Sequence, residues 1–376
     1  MPSLDDLPNE LLKHIFAELW QEELLALALV NRLTNILATE RLYYSIFSGS
    51  TEAREWCDDD CFPHAIVTSA IHLLNRTLSS GKFWLPVRHL IIIDVKDRVE
   101  KCSVEVLLSL VHNSLQSLRL DRCWLGQQNR PLPDLRQMPL LTTLSINQTS
   151  KEWCSFDLAN QRSFELLPTL RHFSILTTTP FTWQALENVL QSAPLLKSLR
   201  GGIAENWKNL FDGNHIPNGL QRALQPISHQ LEDLIFYVRD EADDEPAPHV
   251  GCLSCCASSF MDLSSLRRLC IPLNWLLCNE NATAHFGADH DTTSVSRMRI
   301  LPPSLEVLQL QISRIWLQEE SMFRNGEDAP VADWPTYDMC KSMSPFFEHL
   351  LRNRKDLYPL SAQFVGGLPT IPPPME

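Results

Sequence analysis

Glycine is scarce in this sequence, with only 12 glycines among 376 residues. The chain contains no Gly-x-Gly-x-x-Gly, no Gly-Lys-Ser/Thr phosphate loop and no Gly-x-Ser-x-Gly. Dinucleotide-binding folds, P-loop proteins and α/β-hydrolases need such glycines where the backbone turns sharply or approaches a ligand. The His-Glu-x-x-His pattern of zinc peptidases is also missing. The sequence therefore predicts a protein that is not an enzyme and uses no cofactor.

Basic residues and long apolar runs are also few. Lys and Arg number 32 against 45 Asp and Glu, a net charge of -13, so the surface repels nucleic-acid phosphates and anionic lipid. The longest conspicuous apolar run, residues 24–30, is far shorter than the roughly 20 residues that span a membrane. Residues 1–6 are acidic, unlike a secretory signal. We expect no nucleic-acid or membrane partner, and a location in the cytoplasm and/or the nucleus.

The 11 cysteines do not form a disulfide pattern, because their number is odd and their positions are scattered. Two clusters hold potential metal ligands: His249, Cys252, Cys255 and Cys256, and Cys57, Cys61 and His64. Structural zinc sites usually pair two separated knuckles, and no second Cys-x-x-Cys exists here. We therefore expect no metal site. An unrecognised enzyme remains an alternative, and it predicts a polar pocket near His249 or His290.

The first fifty residues predict three short helices. The first helix has Pro8 at its first position, Glu10 in its first turn and an apolar stripe that includes Leu11 and Phe16. The second begins near residues 21–23 and runs to Val30, apolar on almost every side. The third holds Ile36, Leu37, Leu42 and Tyr43. A unit of this size can bury little apolar surface within itself. Its excess of apolar residues therefore indicates that another surface, in this chain or in another protein, packs against it.

The spacing in this segment resembles the F-box family over residues 4–46. The residues that carry the resemblance are Leu7-Pro8-x-Glu10-Leu11, Ile15-Phe16-x-x-Leu19, Leu24, Leu27, Val30-Asn31-Arg32 and Leu42-Tyr43. Where the family often has Cys before the Arg and an aromatic soon after it, this chain has Asn31 and Leu33.

The resemblance implies docking to a Skp-type adaptor and, through it, to a cullin–RING ligase. The adaptor-binding positions that it implies are Leu7, Pro8, Glu10, Leu11, Ile15, Phe16, Leu24, Leu27 and Val30. The alternative is that Leu11, Phe16, Leu27 and Val30 simply form the core of a helical domain.

The rest of the chain repeats a string of the form L-x-x-L-x-[LI]. Its eight copies are VRHLII (87–92), LQSLRL (115–120), LTTLSI (141–146), LRHFSI (170–175), LKSLRG (196–201), LEDLIF (231–236), LRRLCI (266–271) and LEVLQL (305–310). Alternation within each string predicts a strand, and segments 103–113 and 183–193 predict helices between strands. The first four intervals fit leucine-rich repeats of about 20–29 residues. The chain is similar to fungal-type F-box proteins with degenerate leucine-rich repeats.

These patterns predict an α/β fold: a three-helix F-box module followed by a leucine-rich-repeat-like solenoid with parallel strands on its concave face. The expected layout is a module at 1–48, a helical linker or cap at 49–85, about eight irregular repeats at 86–312, a C-terminal cap at 313–365 and a flexible tail at 366–376. Insertions at 239–262 and 277–299 account for the longer late intervals.

The resemblance implies the substrate-recognition subunit of an SCF-type (Skp–cullin–F-box) ubiquitin ligase, with the solenoid holding an unknown protein substrate. Candidate substrate-binding residues face outward from the strands: Arg119, Asp121, His172, Arg200, Tyr237, Arg268 and Gln309. Arg and Tyr commonly anchor protein interfaces, although a solvated strand face explains the same residues. The alternative function is a leucine-rich-repeat-like interaction scaffold without a ligase role.

Overall fold

The chain begins with helices and continues as parallel strands, in agreement with the expected α/β class. The computed structural model describes residues 7–19, 21–48, 66–68, 87–93, 98–121, 135–148, 167–177, 183–204, 219–239, 260–272, 301–313 and 360–365. The backbone forms two compact units, of which the main parts are Met1–Phe156 and Arg171–Thr370.

Among the residues that the structure describes, the first unit contains three N-terminal helices and a parallel sheet of five strands. Its elements are α1 (Asn9–Ala17), α2 (Gln21–Leu27), α3 (Arg32–Leu42), β1 (Ser45–Ser48), β2 (Ile66–Thr68), β3 (His89–Ile93), α4 (Arg98–Val111), β4 (Ser117–Asp121), a 3-10 turn (Leu135–Gln137) and β5 (Thr143–Gln148). The strand order is β5-β4-β3-β1-β2, so that β1 lies between β2 and β3.

The described part of the second unit contains six parallel strands that neighbour one another in chain order. Its elements are β6 (His172–Thr177), α5 (Trp183–Ser192), β7 (Ser198–Ala204), α6 (Gly219–Leu224), a 3-10 turn (Gln225–Ile227), β8 (Asp233–Arg239), β9 (Arg268–Pro272), β10 (Val307–Ser313) and β11 (Leu360–Val365). This sequential order is consistent with a solenoid-like fold.

Each of the eight strings forms a strand that begins at its third residue. Within each unit the central residues of the strings share one register position. They are Leu90, Leu118 and Leu144 in the first unit, and Phe173, Leu199, Leu234, Leu269 and Leu308 in the second. All eight side chains are buried. The alternation therefore correctly predicted both the strands and the side chains that fill the core.

A backbone contact recurs at the start of these strands. The carbonyl oxygen of Arg88 accepts the N–H of Gln116 at 2.8 Å and that of Ser117 at 2.9 Å. The carbonyls of Tyr44, Gln116, Arg171, Lys197, Glu232 and Arg267 accept the same pair of amides from the next strand's start. Because this contact uses only main-chain atoms, strands with degenerate side-chain patterns still stack in register.

Strand β1 is an element that the sequence analysis missed. Ile46 pairs in register with Leu90, and the Tyr44 carbonyl accepts the amides of Arg88 and His89. The chain around Ile46 carries no leucine string, and a four-residue strand is too short for alternation to show. The sheet therefore already includes residues of the segment 1–48, which was expected to be purely helical.

Strands also occur in two segments expected to be caps. The segment 49–85 contains β2, and the segment 313–365 ends in β11, which pairs with β10. The expected insertion at 277–299 and the tail at 366–376 lie outside the described residues. So does the insertion at 239–262, apart from Arg239 and residues 260–262.

Helices α4 and α5 each bury one apolar face and leave the other faces exposed. In α4 the buried side chains are Val104, Leu107, Leu108 and Val111, at helical spacing, whereas Val106 and Leu110 remain exposed. Helix α5 buries Ala185, Leu186, Val189 and Leu190 in the same way. Complete burial of such a side chain contributes roughly 1.5–3 kcal/mol.

A glycine makes room for an aromatic ring inside the second unit. Gly201 pairs in register with Phe236, whose side chain is buried. A Cβ added at Gly201 would lie 2.7 Å from Cδ1 of the Phe236 ring. No side chain other than hydrogen therefore fits at this position unless the ring moves.

We expect Gly201→Ala to lower the free energy of unfolding by about 1–3 kcal/mol, the usual cost of overpacking a core. Chemical denaturation of the full chain measures it. Adding Phe236→Leu should restore part of the loss, because the smaller side chain leaves space for the methyl group. Equal stability of Gly201→Ala and wild type would contradict this packing.

Arg41 and Tyr44 connect the helices to the sheet of the first unit. Arg41 Nη2 donates to the Ala17 carbonyl at 3.1 Å, and its guanidinium carbon lies 5.2 Å from the centre of the Tyr44 ring. The Tyr44 ring lies 5.1 Å from the His89 ring. Burial, then the charges of Arg41 and Arg88, lower the pKa of His89.

The lowered pKa of His89 predicts that acid destabilises the first unit. The unfolded imidazole takes up a proton near pH 6.5, whereas the folded one does so only at lower pH. The free energy of unfolding therefore keeps its full value above pH 6.5, and it decreases as the pH falls through the pKa of His89 in the folded state. Between pH 7.5 and pH 5.5, the Tm of His89→Gln should fall less than that of wild type. His229→Gln, at an exposed histidine, should behave as wild type; a drop in His89→Gln as large as in wild type would refute the assignment.

Candidate functional site

Helix α1 presents apolar side chains on two adjacent faces. Leu12 and Phe16 point into the three-helix core and are fully buried. Leu11 and Ile15 lie on the neighbouring face, where Leu11 is 51% and Ile15 42% exposed, and Leu7, four residues before Leu11, is exposed just ahead of the helix. An exposed apolar stripe along a helix is a typical protein-contact surface.

The N-terminus of α1 differs slightly from the prediction. Pro8 precedes the helix as its N-cap, with ψ of 144°, and Asn9 is the first helical residue. The Pro8 carbonyl still accepts the N–H of Leu12 at 3.1 Å. Glu10 lies exposed in the first turn, as expected. Pro8 therefore fixes the direction in which the chain enters α1, between Leu7 and Leu11.

Helix α2 ends earlier than predicted. It stops at Leu27, and the next residues form a tighter turn in which Leu29 N–H bonds to the Ala26 carbonyl and Val30 N–H to that of Leu27, both at 3.1 Å. Such i to i+3 bonds commonly close a helix. The turn leaves Leu29 and Val30 exposed.

Leu29 and Val30, with Leu25 and Ile36, form a second set of exposed apolar residues, which we call the corner patch. The α2–α3 corner that carries it is held by Asn35, whose Nδ2 donates to the Ala28 carbonyl at 2.6 Å. Sequence analysis placed only Val30 among the contacts. The apolar character of α2 on almost every side was the signal that could have indicated Leu25 and Leu29.

Three of the nine predicted adaptor contacts pack within the helical module instead. Phe16 and Leu24 are fully buried, and Leu27 packs against the same cluster. The cluster is completed by Leu12, Leu37, Ala38 and Leu42. The alternative assignment to a helical core therefore fits Phe16 and Leu27, but it does not fit the exposed Leu11 and Val30. Phe16 instead belongs to the buried cluster against which the three helices pack.

Asn31, where the family often has Cys, caps helix α3. Its Oδ1 accepts the N–H of Thr34 at 2.9 Å, and Thr34 Oγ1 accepts the N–H of Asn31 at 3.1 Å. This reciprocal capping box satisfies two amides at the helix start. The departure from the family pattern thus has a structural role in holding the corner between α2 and α3.

We expect Asn31→Ala to destabilise the helical module by about 0.5–2 kcal/mol, the usual cost of losing an N-cap side chain. Thermal unfolding followed by circular dichroism measures the loss. Asn31→Asp keeps the accepting oxygen and serves as the control, with a Tm close to wild type. If Asn31→Ala unfolds at the same temperature as Asn31→Asp, the cap is unimportant.

The predicted substrate residues of the first unit are Arg119 and Asp121, on strand β4. Arg119 Nη2 and Nε lie 2.7 and 2.8 Å from Asp121 Oδ2. Asp121 is buried and pairs in register with Asn147 on β5. Arg119 and Asp121 thus neutralise each other, and their mutual contact holds both side chains on the strand face.

In the second unit, β7, β8 and β9 bring Arg200, Asp233 and Arg268 together. Arg200 Nη2 lies 3.6 Å from Asp233 Oδ2, and Arg268 Nε lies 3.9 Å from Asp233 Oδ1. Ser198 Oγ donates to Asp233 Oδ2 at 2.9 Å. We call Arg200, Asp233 and Arg268 the arginine site.

His172 shares the register row of Ser198, Asp233 and Arg268. Partial burial is the main effect that lowers the pKa of His172, and the charge of Arg200 lowers it further, while Asp233 opposes both. Near neutral pH this imidazole is therefore uncharged, and it adds hydrogen-bonding capacity to the row without adding charge.

The last two predicted substrate residues lie on strands of the same unit. Gln309 is half-buried on β10, in register with Cys270. The backbone of Tyr237 on β8 pairs with Gly202. Neither residue lies in the register row of Asp233.

Within the described ranges, no group of three or more His, Cys, Asp or Glu is arranged to hold a metal ion. Nor does any helix among these residues have the length and apolar character needed to cross a bilayer. The ligand clusters at 57–64 and 249–256, together with His290, lie outside the part of the chain that the structure describes.

Comparison with known families identifies one segment. Residues 4–48 match the family model described as F-box-like. F-box domains generally bind Skp-type adaptors, and the match supports a general role in substrate recognition by a ubiquitin ligase. No curated protein matches the chain.

Proposed function

We propose that this chain is the substrate-recognition subunit of an SCF-type ubiquitin ligase. Its three-helix F-box docks to a Skp-type adaptor, and its strands, an LRR-like solenoid, bind a protein substrate. The observation that carries the proposal is the exposed stripe of Leu7, Leu11 and Ile15 over an already complete core.

Helix α1 supplies Leu12 and Phe16 to the core in addition to carrying the exposed Leu11 and Ile15. The module therefore does not need the stripe for its own packing. Leaving several large apolar side chains in water forgoes roughly 25 cal/mol for each Å² that a partner could cover. A partner surface that covers the stripe recovers this energy.

We extend the proposed adaptor surface beyond the residues that the resemblance implied. It comprises Glu10, Leu11 and Ile15 on α1, Leu7 and Pro8 just before α1, and the four residues of the corner patch, Leu25, Leu29, Val30 and Ile36. Phe16, Leu24 and Leu27 act indirectly, since they hold α1, α2 and α3 in place. Truncating them would unfold the module rather than remove a contact.

In this proposal the chain acts by holding the substrate close to the ubiquitin carrier of the ligase. A receptor that holds the substrate next to the ligase's charged ubiquitin carrier raises the effective concentration of substrate lysines there. No residue of this chain performs bond chemistry in this proposal. The chain contributes two separate contact surfaces, an apolar one on helices and a polar one on strands.

The double variant Leu11→Ser/Ile15→Ser should lose adaptor binding by at least tenfold while keeping the wild-type Tm. A pull-down of purified Skp-type adaptor with the full chain measures binding. The matched control is Val106→Ser/Leu110→Ser on α4, where two apolar residues with the same spacing are 46% and 42% exposed.

Either of two results would contradict the proposal. The α1 variant could retain the adaptor, or the α4 variant could lose it to the same extent. Affinity purification from cells adds a further test, because a scaffold without a ligase role would recover no cullin.

A further inference from the structure

Arginine outnumbers lysine in this chain. Of its 32 basic residues, 23 are arginines and nine are lysines, although lysine is among the commonest residues of soluble proteins. Residues 209–340, a stretch of 132 positions, contain eight arginines and no lysine. This stretch supplies strands β8, β9 and β10. The chain therefore carries positive charge in this part of its sheet without any lysine side chain.

The described strands show the same preference. Their Arg and Lys residues are Arg119, Arg200, Arg239 and Arg268, and none of the described strands contains a lysine. Arg119, Arg200 and Arg268 are partly exposed. The strand face expected to hold a substrate therefore presents guanidinium groups and no amines among its described residues.

The structure describes the side chains of Lys13 and Lys197, and each of them pairs with a glutamate. Lys197 lies just before β7, and its Nζ donates to Glu232 Oε1 at 2.7 Å. Lys13 lies on α1, and its Nζ is 3.9 Å from Glu40 Oε2. Both amines are therefore engaged by a carboxylate, and each must leave that contact before it can attack another group.

Lysine can accept ubiquitin, whereas arginine cannot. The neutral ε-amine of a lysine attacks the carbonyl carbon of the thioester that joins ubiquitin to a cysteine of its carrier. A C–N bond forms, the C–S bond breaks, and the proton lost by the amine ends on the departing cysteine sulfur. A guanidinium group stays protonated in proteins and has no amine to donate. Arginine thus supplies charge and hydrogen-bond donors to a contact surface without supplying a ubiquitin acceptor.

We propose that the use of arginine in place of lysine protects this chain from ubiquitin transfer to itself while it holds a substrate. A receptor that lies beside the carrier shares the high effective concentration that the substrate lysines experience. Exposed lysines of the receptor would therefore compete with those of the substrate for the same thioester. The proposal rests on the proposed function, in which docking to the ligase brings the carrier close to the strands.

Two exposed arginines provide the test. Arg171 and Arg267 directly precede β6 and β9, the place that Lys197 has before β7. The variant Arg171→Lys/Arg267→Lys keeps both charges and adds two amines. The matched control, Arg171→Gln/Arg267→Gln, removes the same charges and adds none. Each full chain is incubated with purified Skp-type adaptor, cullin–RING complex and ubiquitin-charged carrier, and mass spectrometry locates the ubiquitin.

We expect the lysine variant to be modified at least about threefold faster than wild type, with ubiquitin mainly at positions 171 and 267, because those amines lie beside the carrier. The glutamine variant should be modified at the wild-type rate. If all lysines reacted equally, the rate would rise by only about a fifth, since their number increases from nine to eleven. A rise below threefold, modification mainly at other positions or an equal rise in the glutamine variant would overturn the inference.

Adaptor pull-down with the same chains separates this inference from the proposed function. If wild type binds the adaptor and the lysine variant shows no such rise, only the inference fails. If wild type does not bind the adaptor, the proposed function fails and the inference fails with it. Adding Leu11→Ser/Ile15→Ser to the lysine variant should abolish the extra modification, because the chain then no longer docks beside the carrier.

Discussion

The parallel register of the strands is the constraint on which the structure depends. In each unit, the carbonyl oxygen of the residue just before one strand accepts two backbone N–H groups from the start of the next strand. Neighbouring strands therefore begin at equivalent positions. This alignment places Leu90 beside Leu118 and Leu199 beside Leu234, and their side chains form continuous buried rows. A shift by one residue would turn every leucine to the opposite face. The core and the outward face are therefore specified together.

The two candidate contact surfaces arise from different physical rules. The N-terminal helices satisfy their own core through residues such as Phe16 and still expose Leu11 and Ile15, so apolar burial is available to a partner. The strand face of the second unit carries charged side chains, and Asp233 lies within 4 Å of both Arg200 and Arg268 there. An apolar surface on helices and a charged one on strands differ in the kind of partner that each could contact.

Local patterns predicted much of this arrangement, and their failures have clear causes. Alternating leucines identified eight strands and their buried residues, because period two is a local property of a strand. They missed β1, in which Ile46 takes the place of the leucine and the strand has only four residues. Helical periodicity placed Leu11 and Phe16 in one apolar stripe, but it could not tell which of them the other helices cover. The capping role of Asn31 was also missed, since it depends on the conformation that brings Thr34 to its side chain.

The amino-acid sequence by itself determined the α/β class, the strand positions, the helical N-terminus and the residue types available for contact, because these follow from spacing along the chain. Only the tertiary structure decided that Phe16 and Leu24 are covered while Leu29 and Ile36 are exposed, and that Asp233 lies between Arg200 and Arg268. Burial and charge pairing join residues that are distant in sequence. They depend on which elements pack together, and that packing is a property of the whole fold.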